Sequence, residues 1–190
     1  MAFVVRTWGS SPRQVGSIML VRDDVQVAGS VSGGCVEGAV IDAALELIKA
    51  GGSQLLDFGV ADETAWGIGL SCGGQISILI MAVSDDGFPP QLLSDAGKSL
   101  ELRQPVSLQI PVKGGAARKS DRSLAASVLE GDEFWFSQLP RPQVIIIGAV
   151  HISQHLSSMA AQSGFDVTVI DPRSTFATAA RFPGIRLVFE

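Results

Sequence analysis

Cys35 and Cys72 are the two thiols of this chain, and glycines flank both, in SGGCVEG and GLSCGG. A thiol in such a setting has two chemistries open to it: nucleophilic or redox reaction as the thiolate, or contact with a soft metal. In the first segment, Ser32, Gly33 and Gly34 lead into a helix that starts near Cys35. A helix N-terminus exposes N–H groups and carries partial positive charge, and adjacent glycines let those groups converge into an anion nest. The expectation is a thiol with lowered pKa, an oxyanion site, or both. A small cysteine buried behind a glycine turn fits the spacing equally. In the second segment, Gly73 and Gly74 allow the backbone after Cys72 to approach a ligand closely before the chain enters a strand. The two thiols can face one pocket and share a soft ligand, or oxidise to one disulfide.

Three other groupings carry weaker signals. GSSPRQVGS, residues 9–17, holds Ser11 and Arg13 in a glycine-bounded loop suited to an oxyanion, or to a plain surface turn. Cys35, Cys72, His151 and His155 would supply four zinc ligands, and the histidines share a helix face. The cysteines, however, lack the C-x-x-C spacing of structural zinc sites and fall in a different predicted domain. In GAVHIS, Gly148 holds the first position of G-x-G-x-x-G, while Val150 and Ser153 hold the second and third. A valine Cβ obstructs the pyrophosphate there, although Asp171, 23 positions after Gly148, stands where an acidic residue binds ribose hydroxyls. NAD(P) binding at Gly148 and Asp171, or a scaffold that binds no dinucleotide, both remain open. No Ser-His-Asp ordering or paired-carboxylate pattern stands out, and the chain has no tyrosine.

These residues need elements to position them. AFVVRT begins as a strand, and IMLVR and VQVAGSV form a hairpin across Asp23 and Asp24. Val36, Val40, Ala43, Ala44, Leu47 and Ile48 recur at helical spacing, and Gly51-Gly52 stops that helix. QLLDFGV is a strand, ADETAWGIGL a turn with a short helix, and QISILIMAV a buried strand. From Ser84 to Pro142 the pattern weakens, with a helix in QLLSDAGKSLELRQ and strands in VSLQIPV and EFWFSQL. QVIIIGAVHISQHLSSMAAQSGFDVTVIDPR then gives strand, glycine turn, amphipathic helix and strand, and RLVFE adds a third strand. The predicted fold class is α/β: a mixed α/β domain with the cysteine motifs at 1–83, a connector at 84–142, and a truncated Rossmann-like βαβ domain at 143–190.

Bulk properties exclude some partners. A net charge of −5, with RKSDR as the longest basic stretch, argues against nucleic acid. The longest apolar run, ISILIMAV, is too short to span a membrane, and the N-terminus lacks the pattern of a signal peptide. Two cysteines make no disulfide framework, so the expected setting is the cytoplasm.

RTWGSSPRQVGS, GSVSGGCVEGAV, DFGVADETAWGIGLSCGG and IIIGAVH with VIDPR, in that order, resemble the XdhC/CoxI family of molybdoenzyme maturation factors. The resemblance covers most of the chain and is most specific over the first 83 residues. It implies an accessory protein rather than an enzyme, serving xanthine dehydrogenase or carbon monoxide dehydrogenase. Such a protein binds the molybdenum cofactor, protects it while its terminal sulfur is installed, and helps deliver it. The implied partners are the molybdoenzyme apoprotein and a cysteine desulfurase. By matching motif, Cys35 and Cys72 become cofactor-site residues and thiolate contacts to molybdenum. Ser32, Gly33, Gly34, Gly73 and Gly74 shape that pocket, and Ser11 and Arg13 meet the cofactor's phosphate or pterin oxygens. Gly148, His151 and Asp171 match the family's G-x-G-H and DPR positions, with Val150 in place of the usual glycine. Set against the family, the chain begins without a helix ahead of its first strand, and its Rossmann part is short. An open sheet edge there predicts a homodimer.

Overall fold

The computed structural model describes residues 1–59 and 74–189, which form two compact units, Met1–Leu139 and the chain from Pro140 onward. In the first unit, β1 (Ala2–Trp8) is the centre of a five-stranded antiparallel sheet. The hairpin β2 (Ile18–Val21) and β3 (Val27–Gly29) extends it on one side, with Asp23 and Asp24 in its turn. β5 (Gln75–Met81) and then β4 (Ser53–Phe58) extend it on the other.

β1 and β5 read as near-continuous apolar runs because both faces of this sheet are covered. Ala2, Val4, Ile76, Ile78 and Ile80 face α1 (Glu37–Ala50), where they meet Val36, Val40, Ala43 and Ala44. Phe3, Val5, Leu79 and Met81 face the opposite way. α1 stops as the sequence predicts: Gly51 has φ of 76° and its N–H donates to Leu47 O at 2.8 Å. Its apolar stripe is narrower than expected, since Ile48 stays 43% exposed.

The other face of the first sheet meets a second, four-stranded antiparallel sheet. Its members are β6 (Val106–Pro111), β7 (Arg118–Lys119), β8 (Val128–Glu130) and β9 (Glu133–Gln138), in the order β7-β6-β9-β8. Phe3 packs on Phe88, Phe134 and Phe136 with ring centroids 5.8, 6.1 and 5.6 Å away. α2 (Pro90–Glu101) lays Leu92, Leu93, Ala96 and Leu100 against the same core. Residues 84–139, most of the stretch 84–142 expected as a connector, thus share a core with described residues of 1–83. β7 and β8 escape sequence reading because two or three residues carry no alternation.

The second unit is a parallel three-stranded βαβ arrangement: β10 (Gln143–Ile147), α3 (His151–Gln162), β11 (Asp166–Ile170) and β12 (Arg186–Val188). Ile146, Val167, Val169, Ala177 and Phe182 form its core, with Ala160 and Ala161 of α3 packed on it. Ile145 and Ile147, on the other face of β10, are 60% and 86% exposed. The fold class is therefore the expected α/β, a mixed unit followed by a Rossmann-like one. Among the described residues, no helix is long and apolar enough to cross a membrane.

Candidate functional site

The turn from β3 into α1 closes around one carboxylate. Glu37 opens α1, and its side chain folds back over the segment that precedes it. Its Oε1 accepts from the N–H groups of Val31, Ser32 and Gly33 at 3.3, 2.8 and 2.9 Å, and from the Ser30 hydroxyl at 2.8 Å. Its Oε2 accepts from the Gly34 N–H at 2.8 Å and from the Ser32 hydroxyl. Gly33 and Gly34, at φ of 80° and 119°, turn the backbone so that these donors converge. The expected nest forms, and the anion inside it is the chain's own. Burial alone would push the Glu37 pKa up. Hydrogen bonds from Ser32, Ser30 and Gly34 outweigh it and hold the carboxyl well below its usual range. Ser32 is fully buried at the centre of the turn, and Cys35 is exposed on its rim.

The loop after β1 lies against this turn. The Ser11 hydroxyl donates to Arg13 O at 2.7 Å, and Arg13 Nε donates to Ser30 O at 3.1 Å. A Cβ on Gly33 would sit in ordinary contact with Pro12, 3.6 Å from its Cβ. On the far side of the same loop, a Cβ on Gly74 would fall 2.0 Å from Ser10 O and 3.1 Å from Trp8 O, so only glycine fits. Ser11, Arg13, Ser32, Gly33, Gly34, Cys35 and Gly74 therefore gather at one end of the first sheet. Cys72 and Gly73 lie outside the described residues. A groove of about 640 Å³ between α2 and β6, lined in part by Leu92, Leu102, Lys119 and Leu124, includes none of the cysteine-motif residues.

In the second unit, Gly148 takes φ of 103° and its N–H donates to Ile170 O at 2.8 Å. Asp171 is 1% exposed, and its Oδ2 accepts from the Ala149 N–H at 2.7 Å. Arg173 donates to the same carboxylate from Nε, a terminal nitrogen and its backbone N–H. The Arg173 guanidinium, then the Ala149 and Arg173 N–H groups, hold Asp171 well below the usual carboxylate range. The acidic group read as a ribose contact is thus engaged with its own turn and with Arg173. Val150 caps α3 at 44% exposure, and the exposed rings of His151 and His155 meet edge to face at 4.9 Å. Among the described residues, no three His, Cys, Asp or Glu side chains gather to hold a metal ion.

Sequence reasoning gave no role to Glu37 or Trp8. Glu37 had a signal: an acidic residue in the first helical turn, three positions after a glycine pair. Trp8 becomes visible only in the fold, where β1 ends beside the Ser10 loop and leaves the indole 67% exposed.

Comparison with known proteins gives the family and the fold. The family model for the XdhC and CoxI family matches residues 1–59, and the model for the XdhC Rossmann domain matches residues 144–187. The molybdenum cofactor insertion chaperone PaoD of Escherichia coli is 31% identical over 170 residues, covering 88% of this chain and 51% of that protein. A protein of Bacillus subtilis named as a probable xanthine dehydrogenase component is 28% identical over 209 residues, covering 96% and 62%. The chain therefore spans about half to three fifths of the length of these two relatives. A solved xanthine dehydrogenase from Bacillus halodurans shares the fold, with a TM-score of 0.80 at 23% identity over 98% of this chain and 62% of that one.

Proposed function

This chain belongs to the XdhC and CoxI family, and on that premise we propose that it is an accessory protein that carries the molybdenum cofactor. It supports the cofactor's sulfuration and delivers it to an apoprotein of the xanthine dehydrogenase or carbon monoxide dehydrogenase type. It acts as a chaperone and not as a catalyst. The observation that carries this reading is the gathering of the Cys35 turn, the Ser11–Arg13 loop and Gly74 at one end of the first sheet. A relative named as a molybdenum cofactor insertion chaperone supports the cargo, and one named as a probable xanthine dehydrogenase component supports the class of target.

The site's chemistry suits that cargo. Molybdenum with sulfur ligands is soft, and an exposed cysteine offers it a soft contact in Cys35, with Cys72 as the second. The nest of Ser32, Gly33 and Gly34 already holds Glu37, so the cofactor's phosphate goes to the Ser11 and Arg13 side of the site. Arg13 is anchored at Nε on Ser30 O, which aims its guanidinium fork from a fixed root. A cysteine desulfurase supplies the sulfur, and the chain works in the cytoplasm as a homodimer. The test is to mix the purified protein with molybdenum cofactor and measure co-elution. Cys35→Ala should lower retention with the fold intact; full retention in that variant would remove the thiol from the reading.

A further inference from the structure

We propose that Glu37 is the positioning residue of the Cys35 turn, fixing the peptide on both sides of that thiol through one carboxylate oxygen. The inference rests on the reading of Cys35 as a cofactor contact. The N–H before Cys35, on Gly34, donates to Glu37 Oε2 at 2.8 Å. The N–H after it, on Val36, donates to Ser32 Oγ at 3.0 Å, and the Ser32 hydroxyl donates to the same Oε2. Both neighbours of Cys35 therefore depend on a single oxygen. The other oxygen, Oε1, holds the stem of the turn from Ser30 to Gly33.

Packing holds the turn at Val31, Ser32 and Val36 and does little for its middle. Gly33 and Gly34 are exposed and have no side chains to pack, and a Cβ on Gly34 would meet nothing within 4 Å. Two successive glycines at positive φ sample many conformations unless hydrogen bonds select one. A carboxylate is suited to the task because it only accepts, with two oxygens that can each take several donors. A glutamine in its place keeps one acceptor oxygen and turns an NH2 group toward N–H groups, so it cannot satisfy both sets.

The test uses the full chain with Glu37→Gln, and with Ser32→Ala, which keeps the carboxylate and removes the relay to Val36. Glu37→Gln should lower the amide protection factors of Gly33, Gly34 and Val36 by about tenfold or more, with those of β5 unchanged. Iodoacetamide should then alkylate Cys35, followed on its own peptide, about threefold faster or more at neutral pH, because the peptides on both sides of the thiol are released. Ser32→Ala should release Val36 while Gly33 stays protected, so the inference survives a Glu37→Gln chain that fails to fold. Protection within about twofold of the unsubstituted chain in both variants would overturn it. Lost protection with unchanged Cys35 alkylation would also overturn it, by separating the turn from the thiol. Cofactor retention is read apart, in Cys35→Ser: full retention there removes Cys35 as a cofactor contact and leaves the positioning of the thiol standing.

Discussion

At the scale of single residues, the glycines of the site differ in what they do. Gly74 is required by space, since its Cβ would fall 2.0 Å from Ser10 O; Gly34 is required by conformation alone, at φ of 119°. Gly74→Ala should therefore cost about 3 kcal/mol, the top of the range for an overpacked site, and shift the Ser10 loop. Gly34→Ala should cost roughly 1–2 kcal/mol, the strain of that backbone region. Urea denaturation of both variants checks the ranking. The two internal carboxylates set the acid response. Glu37 and Asp171 both have folded-state pKa values below the ordinary range, so what they add to stability is complete above that range. It is lost as pH falls below about 4, toward the folded values. Denaturation midpoints should fall there, and Glu37→Gln should flatten the slope. The sequence announced the nest through SGG and the thiol through its spacing. It signalled the occupant only as an acidic residue in the first helical turn, because which anion fills a nest depends on where a long flexible side chain folds back.

At the scale of elements, β1 carries the first unit. Its even-numbered residues Ala2 and Val4 pack on α1, and its odd-numbered Phe3 and Val5 pack on the second sheet. A bulge between Val4 and Arg6 then shifts its register on β5. Phe3→Ala removes the ring that touches Phe88, Phe134 and Phe136 and should cost about 3–5 kcal/mol by thermal or urea unfolding. Loss of less than about 1 kcal/mol would mean the two sheets do not depend on that contact. α1, β1 and β5 were legible because helical periodicity and long apolar runs are local signals. The pairing of β6 with β9 was not, because 21 residues carrying two very short strands separate the partners and their alternation is shared only across the ladder. Hence a stretch that reads as a connector folds as a sheet.

For the whole molecule, the unit from Pro140 onward offers one apolar sheet face, marked by Ile145 and Ile147, on a strand that ends its sheet. A second copy of the chain covering that face is the expected assembly. Sedimentation should give twice the chain mass, and Ile147→Lys should shift the balance toward monomer; a monomeric mass for the unsubstituted chain would rule the dimer out. The Rossmann order of strand, turn, helix and strand was plain in the sequence. The ties from Asp171 back to Ala149 and Arg173 depend on the folded turn and were not. The self-filled nest at Glu37 has a consequence for how the turn meets the anions of its medium. An open ring of N–H donors would collect inorganic phosphate and nucleotides from the surrounding pool. With its counter-ion built in, the turn offers these anions no vacancy. The shape of the turn is thereby insulated from the phosphate content of the medium.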